Sequence, residues 1–318
     1  MRVLLTGATG FVGSALTRRL ADIDRFIVRA PIRRDASNLP SGIERMRGGD
    51  LTADTDWRPV LADVQVVIHL AARVHVMRDQ AADPLSEFRR VNVEGTLRLA
   101  RQAAQRGVKR FVFLSSVKVN GEGRAQPYCE SDPADAQDHY AISKHEAELG
   151  LQKIASESGM EAVIIRPPLI YGPGVKANFQ ALMRAVARGI PLPLGAVHNR
   201  RSLLALDNLV DFIIRCIDHP AAANQIFLVS DGEDLSTTDL IRRLASAMGR
   251  PARLIPVSAT LLLASATMLG KRAVVQRLLG CLQVDISKAR ELLEWVPPVS
   301  VNDGLHRAAE HYRYNKRA

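Results

Sequence analysis

The sequence predicts an α/β chain: a doubly wound parallel sheet, then a smaller, mainly helical C-terminal part. Short apolar runs alternate with segments of helical periodicity up to about residue 170, the pattern of repeated strand–helix–strand units. Val64–Leu70 (VQVVIHL) is an apolar run of the kind expected when a parallel strand is covered on both faces. Gly7, Gly10 and Gly13 stand between the first strand and the first helix.

Arg2–Leu5 reads as a short buried strand and Phe11–Leu20 as the helix after it. Phe26–Ile32 gives the second strand, a loop covers Asp35–Pro40, and Glu44–Arg47 is a third strand before the acidic turn Gly49-Asp50-Leu51. Helical spacing over Phe88–Arg106 is followed by RFVFL at Arg110–Leu114, whose aromatic and branched residues suit a buried strand ending in Ser115-Ser116. Tyr140–Ala155 is helical, and Ala162–Ile165 returns to strand before Arg166-Pro167-Pro168. Beyond Tyr171-Gly172-Pro173-Gly174 the pattern loosens. Pro191, Pro193 and Gly195 punctuate a loop, and helices fit Leu206–Asp218 and Thr237–Met248. The expected division is 1–171 and 172–318, with some interleaving of the two.

With 318 residues, 47% hydrophobic and 24% charged, the composition is that of a soluble globular enzyme. The formal charge of +10 suits anionic partners. The basic residues are scattered, however, without the aromatic-interleaved stripe or helix-turn-helix pattern of a nucleic-acid binder. Cys129, Cys216 and Cys281 have no metal-binding spacing and read as free thiols of a reducing, cytoplasmic setting, with no metal site. The chain runs straight into strand and glycine turn, without the pattern of a signal peptide. Leu254–Gly270 (LIPVSATLLLASATMLG) lacks charge but is short for a transmembrane span. It reads as a buried or partner-facing helix, with peripheral membrane contact the alternative.

The glycine turn and a distant Tyr-x-x-x-Lys carry the chemistry. Glycines before a helix N-terminus let backbone approach a pyrophosphate where free N–H groups and the helix dipole attract it. The spacing here is GxxGxxG, in TGATGFVG at Thr6–Gly13. In HYAISKHEAE, Tyr140 and Lys144 are four apart and share a helix face. A cation beside a phenol is expected to lower its pKa from ~10 and equip it for proton transfer. Strand two runs into Arg33 and Arg34 before Asp35. Arginine suits a 2′-phosphate, so NADP(H) is favoured and NAD(H) remains open through Asp35.

These features occur in order with Asp50, HLAA at His69–Ala72, Asn92, Ser115-Ser116, YAISK and RPPLIYGPG. Together they resemble the extended short-chain dehydrogenase/reductases that act on nucleotide sugars, over nearly the whole chain. The resemblance implies a Rossmann fold, possible homodimerisation, and a catalytic set of Ser116, Tyr140 and Lys144. It further implies a cofactor site lined by Gly7, Gly10, Phe11, Val12, Gly13, Arg33, Arg34, Asp50, Leu51, Leu70, Ala71, Ala72, Asn92, Ser115 and Pro167, with Tyr140 and Lys144 also touching the cofactor. Asp50 would contact the adenine, Asn92 would kink its helix, and His69 would end a strand near the cofactor. Substrate anchors would be Ser116, Asn178 at the nucleotide, Arg201 at the diphosphate and Arg277 at a second phosphate contact.

The sugar 4,6-dehydratases place Asp-Glu after the catalytic serine, where this chain has Val117-Lys118. Elimination needs an acid and a base there, so simple dehydration is not expected. The expected reaction is hydride transfer at C4 of a nucleotide-linked, preferably UDP-linked, sugar. The first reading is a reductase of UDP-linked 4-keto-6-deoxy-N-acetylhexosamines in surface-polysaccharide synthesis, on the strength of Arg33 and Arg34. The alternative is a UDP-sugar 4-epimerase (glucose or N-acetylglucosamine). A dehydrogenase of lipophilic ketones and a non-catalytic cofactor sensor are the remaining readings.

Overall fold

The computed structural model describes residues 1–33, 39–74, 83–268, 270 and 272–315, with the side chains of 272–274 and 277 left undescribed. Strands β1 (Arg2–Thr6), β2 (Ile27–Ile32), β3 (Glu44–Arg47), β4 (Val66–His69), β5 (Arg110–Leu114) and β6 (Glu161–Arg166) form most of the main sheet. Two later pieces, β7 (Leu169–Tyr171) and β8 (Arg201–Ala205), precede β9 (Ile226–Leu228) and β10 (Asp234–Leu235). The large sheet has seven strands in the order β3-β2-β1-β4-β5-β6-β9, and every pairing in it is parallel. A small sheet runs β10-β8-β7. The order reverses beside β1, which opens a crevice at the carboxyl ends of β1 and β4 where such sheets bind ligands.

Helices α1 (Phe11–Ala21), α2 (Pro84–Phe88), α3 (Thr96–Gln105) and α4 (His139–Ser158) belong to the first half. Then come α5 (Ala177–Ala187), α6 (Leu206–Asp218), α7 (Thr237–Ala247), α8 (Ala259–Met268), α9 (Arg272–Leu279), α10 (Ser287–Leu293) and α11 (Val301–Tyr314). One apolar layer joins α1 and α6 to one face of the sheet through Leu16, Leu20, Leu209, Phe212 and Ile213. The opposite face is covered by Leu99, Ala103, Leu151 and Ile154 of α3 and α4. Coverage on both faces accounts for the apolar strands.

Most strands and helices foreseen in the first half are present, with ends shifted by a few residues. The helix expected over Phe88–Arg106 begins earlier, at Pro84, and carries a π-helical stretch at Arg89–Gly95. Asn92 lies in that stretch, so the expected kink is a π-bulge. The C-terminal part holds more strand than foreseen, because β8 and β10 build the small sheet and β9 extends the large one. Among its described residues, the apolar Leu254–Gly270 segment is largely exposed: α8 hides Leu262 and Ala266 but exposes Leu261 and Met268.

Buried polar groups lock α4 to the sheet. Arg166 at the end of β6 donates to Glu148 of α4 and to Asn120 Oδ1 at 3.0 Å, and the paired side chains are 5% and 1% exposed. Removing one member strands a buried charge. Glu148→Ala should therefore cost about 3–5 kcal/mol in urea unfolding, whereas a cost near that of a surface pair would show that the ion pair does not hold α4.

Candidate functional site

The turn after β1 is built around glycine. Gly7 has φ +73°, and a Cβ there would stand 2.8 Å from the Ala71 nitrogen. A Cβ on Gly13 would meet the Gly7 carbonyl oxygen at 2.0 Å, so α1 can follow β1 this closely only with glycine at both positions. Gly10 precedes α1 without a side-chain cap, and the first turn carries no acid. The leading N–H groups and Phe11 and Val12 thus form an uncapped, positive helix end suited to pyrophosphate. Leu70, Ala71 and Ala72 pass over this turn, with the Ala71 N–H donating to Thr6 Oγ1 at 3.4 Å.

From there a continuous row crosses the carboxyl edge of the sheet. Thr6 pairs across to His69, and His69 to Phe113. His69 is fully buried, with Nδ1 2.6 Å from Thr6 Oγ1 and Nε2 2.9 Å from Thr96 Oγ1. Burial and the Lys144 charge push its pKa down to about 3, so it serves as a neutral strut. Its ring stacks on Phe113 at 5.8 Å, and Lys144 Nζ sits 4.2 Å above the Phe113 ring. Lys144 Nζ also donates to the Leu114 carbonyl at 2.6 Å. That bond draws the start of α4 to the end of β5, two residues before Ser116.

Ser116 has extended backbone and its Oγ accepts from the Lys118 N–H at 3.3 Å. Ser115 and Val117 are stapled to the β6 side by N–H bonds to the Ile165 and Pro167 carbonyls at 2.7 and 3.0 Å. The Ser115 hydroxyl is buried with no hydrogen-bond partner among the described residues. An orphaned hydroxyl at the end of β5 fits a ligand group laid along this edge.

Tyr140 lies in the first turn of α4, edge-on to Phe88 at 6.3 Å. Asp138 caps that helix, accepting from the Ala141 N–H at 2.7 Å. Lys118 bridges Asp138 and Glu122, the latter at 3.0 Å, tying the loop that carries Ser116 to the helix that carries Tyr140. The expected lowering of the phenol pKa is absent: burial, with a smaller contribution from the Asp138 carboxylate, raises it. Lys144 is itself desolvated and held down to about 7, so its cation cannot dominate. Asn92 is buried, donates to the Arg73 carbonyl and Ser143 Oγ at 3.0 Å each, and accepts from the Arg73 N–H at 2.7 Å.

The outer contacts are more open. Asp50 and Arg33 form an ion pair at 3.0 Å with both side chains 73% exposed, and Leu51 follows beside them. Arg34 lies outside the described residues. Pro167 is buried at the end of β6. Asn178 is exposed in the first turn of α5, just after Ala177, whose φ of +53° is strained for a residue with a Cβ. Arg201 opens β8 and donates to the Gly280 carbonyl at 3.1 Å; burial lowers its pKa. Arg277 is on α9, with its side chain outside the described set. The sequence reading missed Asp138, Glu148 and the Thr6–His69–Thr96 set. Glu148 stands four residues after Lys144, which places it on the same helix face, and Asp138 has the N-cap residue type.

Residues 3–230 match the NAD dependent epimerase/dehydratase family. The chain belongs to that family. A Vibrio cholerae protein named UDP-glucose 4-epimerase is 48% identical over 98% of this chain and 95% of its own length. The structure of UDP-glucuronic acid 4-epimerase from Bacillus cereus in complex with NAD superimposes with a TM-score of 0.82 at 21% identity, covering 99% of each chain. MoeE5 in complex with UDP-glucose and NAD gives 0.79 at 25% identity, covering 99% of this chain and 100% of its own. The chain is thus an enzyme of nucleotide-sugar chemistry on a Rossmann sheet, with a nicotinamide cofactor. Between the two C4 reactions foreseen, these relatives favour the epimerase over the reductase.

The lysine offers a test of the site's electrostatics. Between about pH 7 and the ordinary lysine range near 10.5, the unfolded chain binds more protons at Lys144 than the folded chain, so this group's contribution to stability rises with pH. Relative to Lys144→Met, the wild type should gain stability between about pH 7 and pH 9 in urea unfolding. A constant difference would mean that the ammonium is not desolvated in the folded protein.

Proposed function

We propose that the protein is an NAD-dependent 4-epimerase of a UDP-linked hexose. The observation that carries this reading is the full-length 48% likeness to a protein named UDP-glucose 4-epimerase, joined to a Ser-Tyr-Lys arrangement without carboxylates for elimination. Lys118 supports it: the residue where dehydratases carry an acid is here a cation held between Glu122 and Asp138.

NAD is favoured over NADP because Arg33 already faces Asp50, which offsets part of the charge a 2′-phosphate would meet. Gly7, Gly10, Gly13, Phe11 and Val12 would hold its pyrophosphate. Asp50 and Leu51 would flank the adenine end, and Leu70–Ala72, Asn92, Ser115 and Pro167 would line the path toward the nicotinamide. When bound, the cofactor supplies a hydride acceptor and donor. In this reading Ser116 Oγ hydrogen-bonds the C4 oxygen, and Tyr140 takes the hydroxyl proton during oxidation and returns it during reduction. The neutral phenol that burial favours is the form needed for return. The Lys144 ammonium opposes that burial and favours the phenolate needed for oxidation. The part contributed by 172–318 would hold the nucleotide, with Arg201 at the diphosphate, Asn178 at the nucleotide and Arg277 at the second phosphate contact.

Purified protein should interconvert UDP-glucose and UDP-galactose, or their 2-acetamido counterparts, without added reductant, as followed by NMR. Tyr140→Phe should slow this by ~10²–10⁴-fold with little change in cofactor affinity. No interconversion, together with NADPH-driven reduction of a UDP-linked 4-keto sugar, would restore the reductase reading.

A further inference from the structure

We propose that the α8–α9 hairpin docks the protein on an anionic lipid surface. Helix α8 (ATLLLASATM) contains no charged residue. A helix apolar on every side is ordinarily buried, yet only Leu262 and Ala266 are hidden here. Leu261, Ala264, Ser265 and Met268 face outward at the i, i+3, i+4, i+7 spacing of a single stripe. Leu261 is 65% and Met268 89% exposed. Ile190 and Ile255 are also exposed, at 46% and 49%, on two segments that precede α8 in the chain and are joined by the bond from the Ile255 N–H to the Leu192 carbonyl.

Charge selects the occupant. From Arg250 to Val284, past the α7 arginines that pair with Asp239 and Glu233, the sequence has five Lys and Arg residues and no Asp or Glu. Arg250 and Arg253 are exposed on the approach to α8. A second copy meeting this face through a two-fold axis would set the same patch against itself, cation against cation. A bilayer with anionic headgroups meets both features: apolar side chains enter the headgroup–acyl boundary while the arginines pair with phosphates. No helix among the described residues is long and apolar enough to cross a membrane, so the hairpin would lie on the surface.

The hairpin is anchored firmly enough to carry the body with it. Asn199 Nδ2 donates to the Leu278 and Gly280 carbonyls at 2.9 Å each, and Thr237 Oγ1 donates to Leu278 at 2.9 Å. Gly280 is also the acceptor for Arg201, so the docked element meets the body at the arginine assigned to the diphosphate.

Flotation with vesicles tests this without substrate, and so independently of the epimerase reading. The full chain should rise with phosphatidylglycerol–phosphatidylcholine vesicles and stay behind with phosphatidylcholine alone. Leu261→Glu with Met268→Glu should abolish flotation while leaving the thermal midpoint unchanged; both side chains are exposed, so folding should not suffer. As a milder arm, Arg250→Gln with Arg253→Gln should reduce the bound fraction. Failure of the wild type to float, equal flotation on neutral vesicles, or undiminished flotation of the Glu variant would overturn the proposal. So would a solution dimer that the Glu variant splits and that binds no vesicles, which would make the stripe a subunit interface.

Discussion

Burial of the Lys144 ammonium at the end of β5 sets where α4 lies, and α4 carries most of the candidate catalytic groups. Lys144 is 2% exposed, with its ammonium bonded to the Leu114 carbonyl and lying over the Phe113 ring. A charge taken out of water this far is tolerated only with close partners. Glu148, one turn further along the same helix, favours its protonated form while holding Arg166 on β6. One helix face thereby reaches two adjacent strands. Tyr140 rides on the same helix, so the contacts of Lys144 and Glu148 also help to set where its ring lies.

The sheet supplies the other half of the geometry. Parallel strands in the order β3-β2-β1-β4-β5-β6-β9 bring the glycine turn, the Leu70–Ala72 segment and the Ser115-Ser116 pair to one edge. His69, at the middle of that edge, has both ring nitrogens engaged by Thr6 and Thr96, and its low pKa keeps it uncharged, so it adds no cation beside Lys144. The Lys118–Asp138 pair closes the arrangement from the outside. Charged groups here mostly position others, and the small polar set left over is suited to proton and hydride movement.

Much of this was legible in the sequence, for physical reasons. Continuous apolar runs such as RFVFL identify strands covered on both faces, and a glycine triplet between strand and helix has few alternative uses. Tyr140 and Lys144 stand on a helix that the sequence placed, and Ser116 directly follows the clearly apolar strand β5. The short strands β8, β9 and β10 were not legible, since two to five residues carry no period and depend on tertiary partners. The exposure of α8 was hidden because an apolar stretch reads the same whether it faces a core or water. The pKa of Tyr140 was misjudged because spacing along a helix reports proximity to Lys144 but not the depth of burial. The strand end showed Arg33 but not its ion pair with Asp50, 17 residues later, because that contact depends on how two separate turns come together.

Intramolecular return of hydride is the defining act of a 4-epimerase, and an isotope at the reacting carbon reports it directly. Turnover of UDP-glucose carrying deuterium at C4, and of its 2-acetamido counterpart, with only catalytic NAD should yield the C4 epimer of at least one with deuterium retained at that carbon. Epimer in which C4 has lost its deuterium, or stoichiometric build-up of reduced cofactor with a ketone product, would contradict a site that oxidises and re-reduces the same sugar.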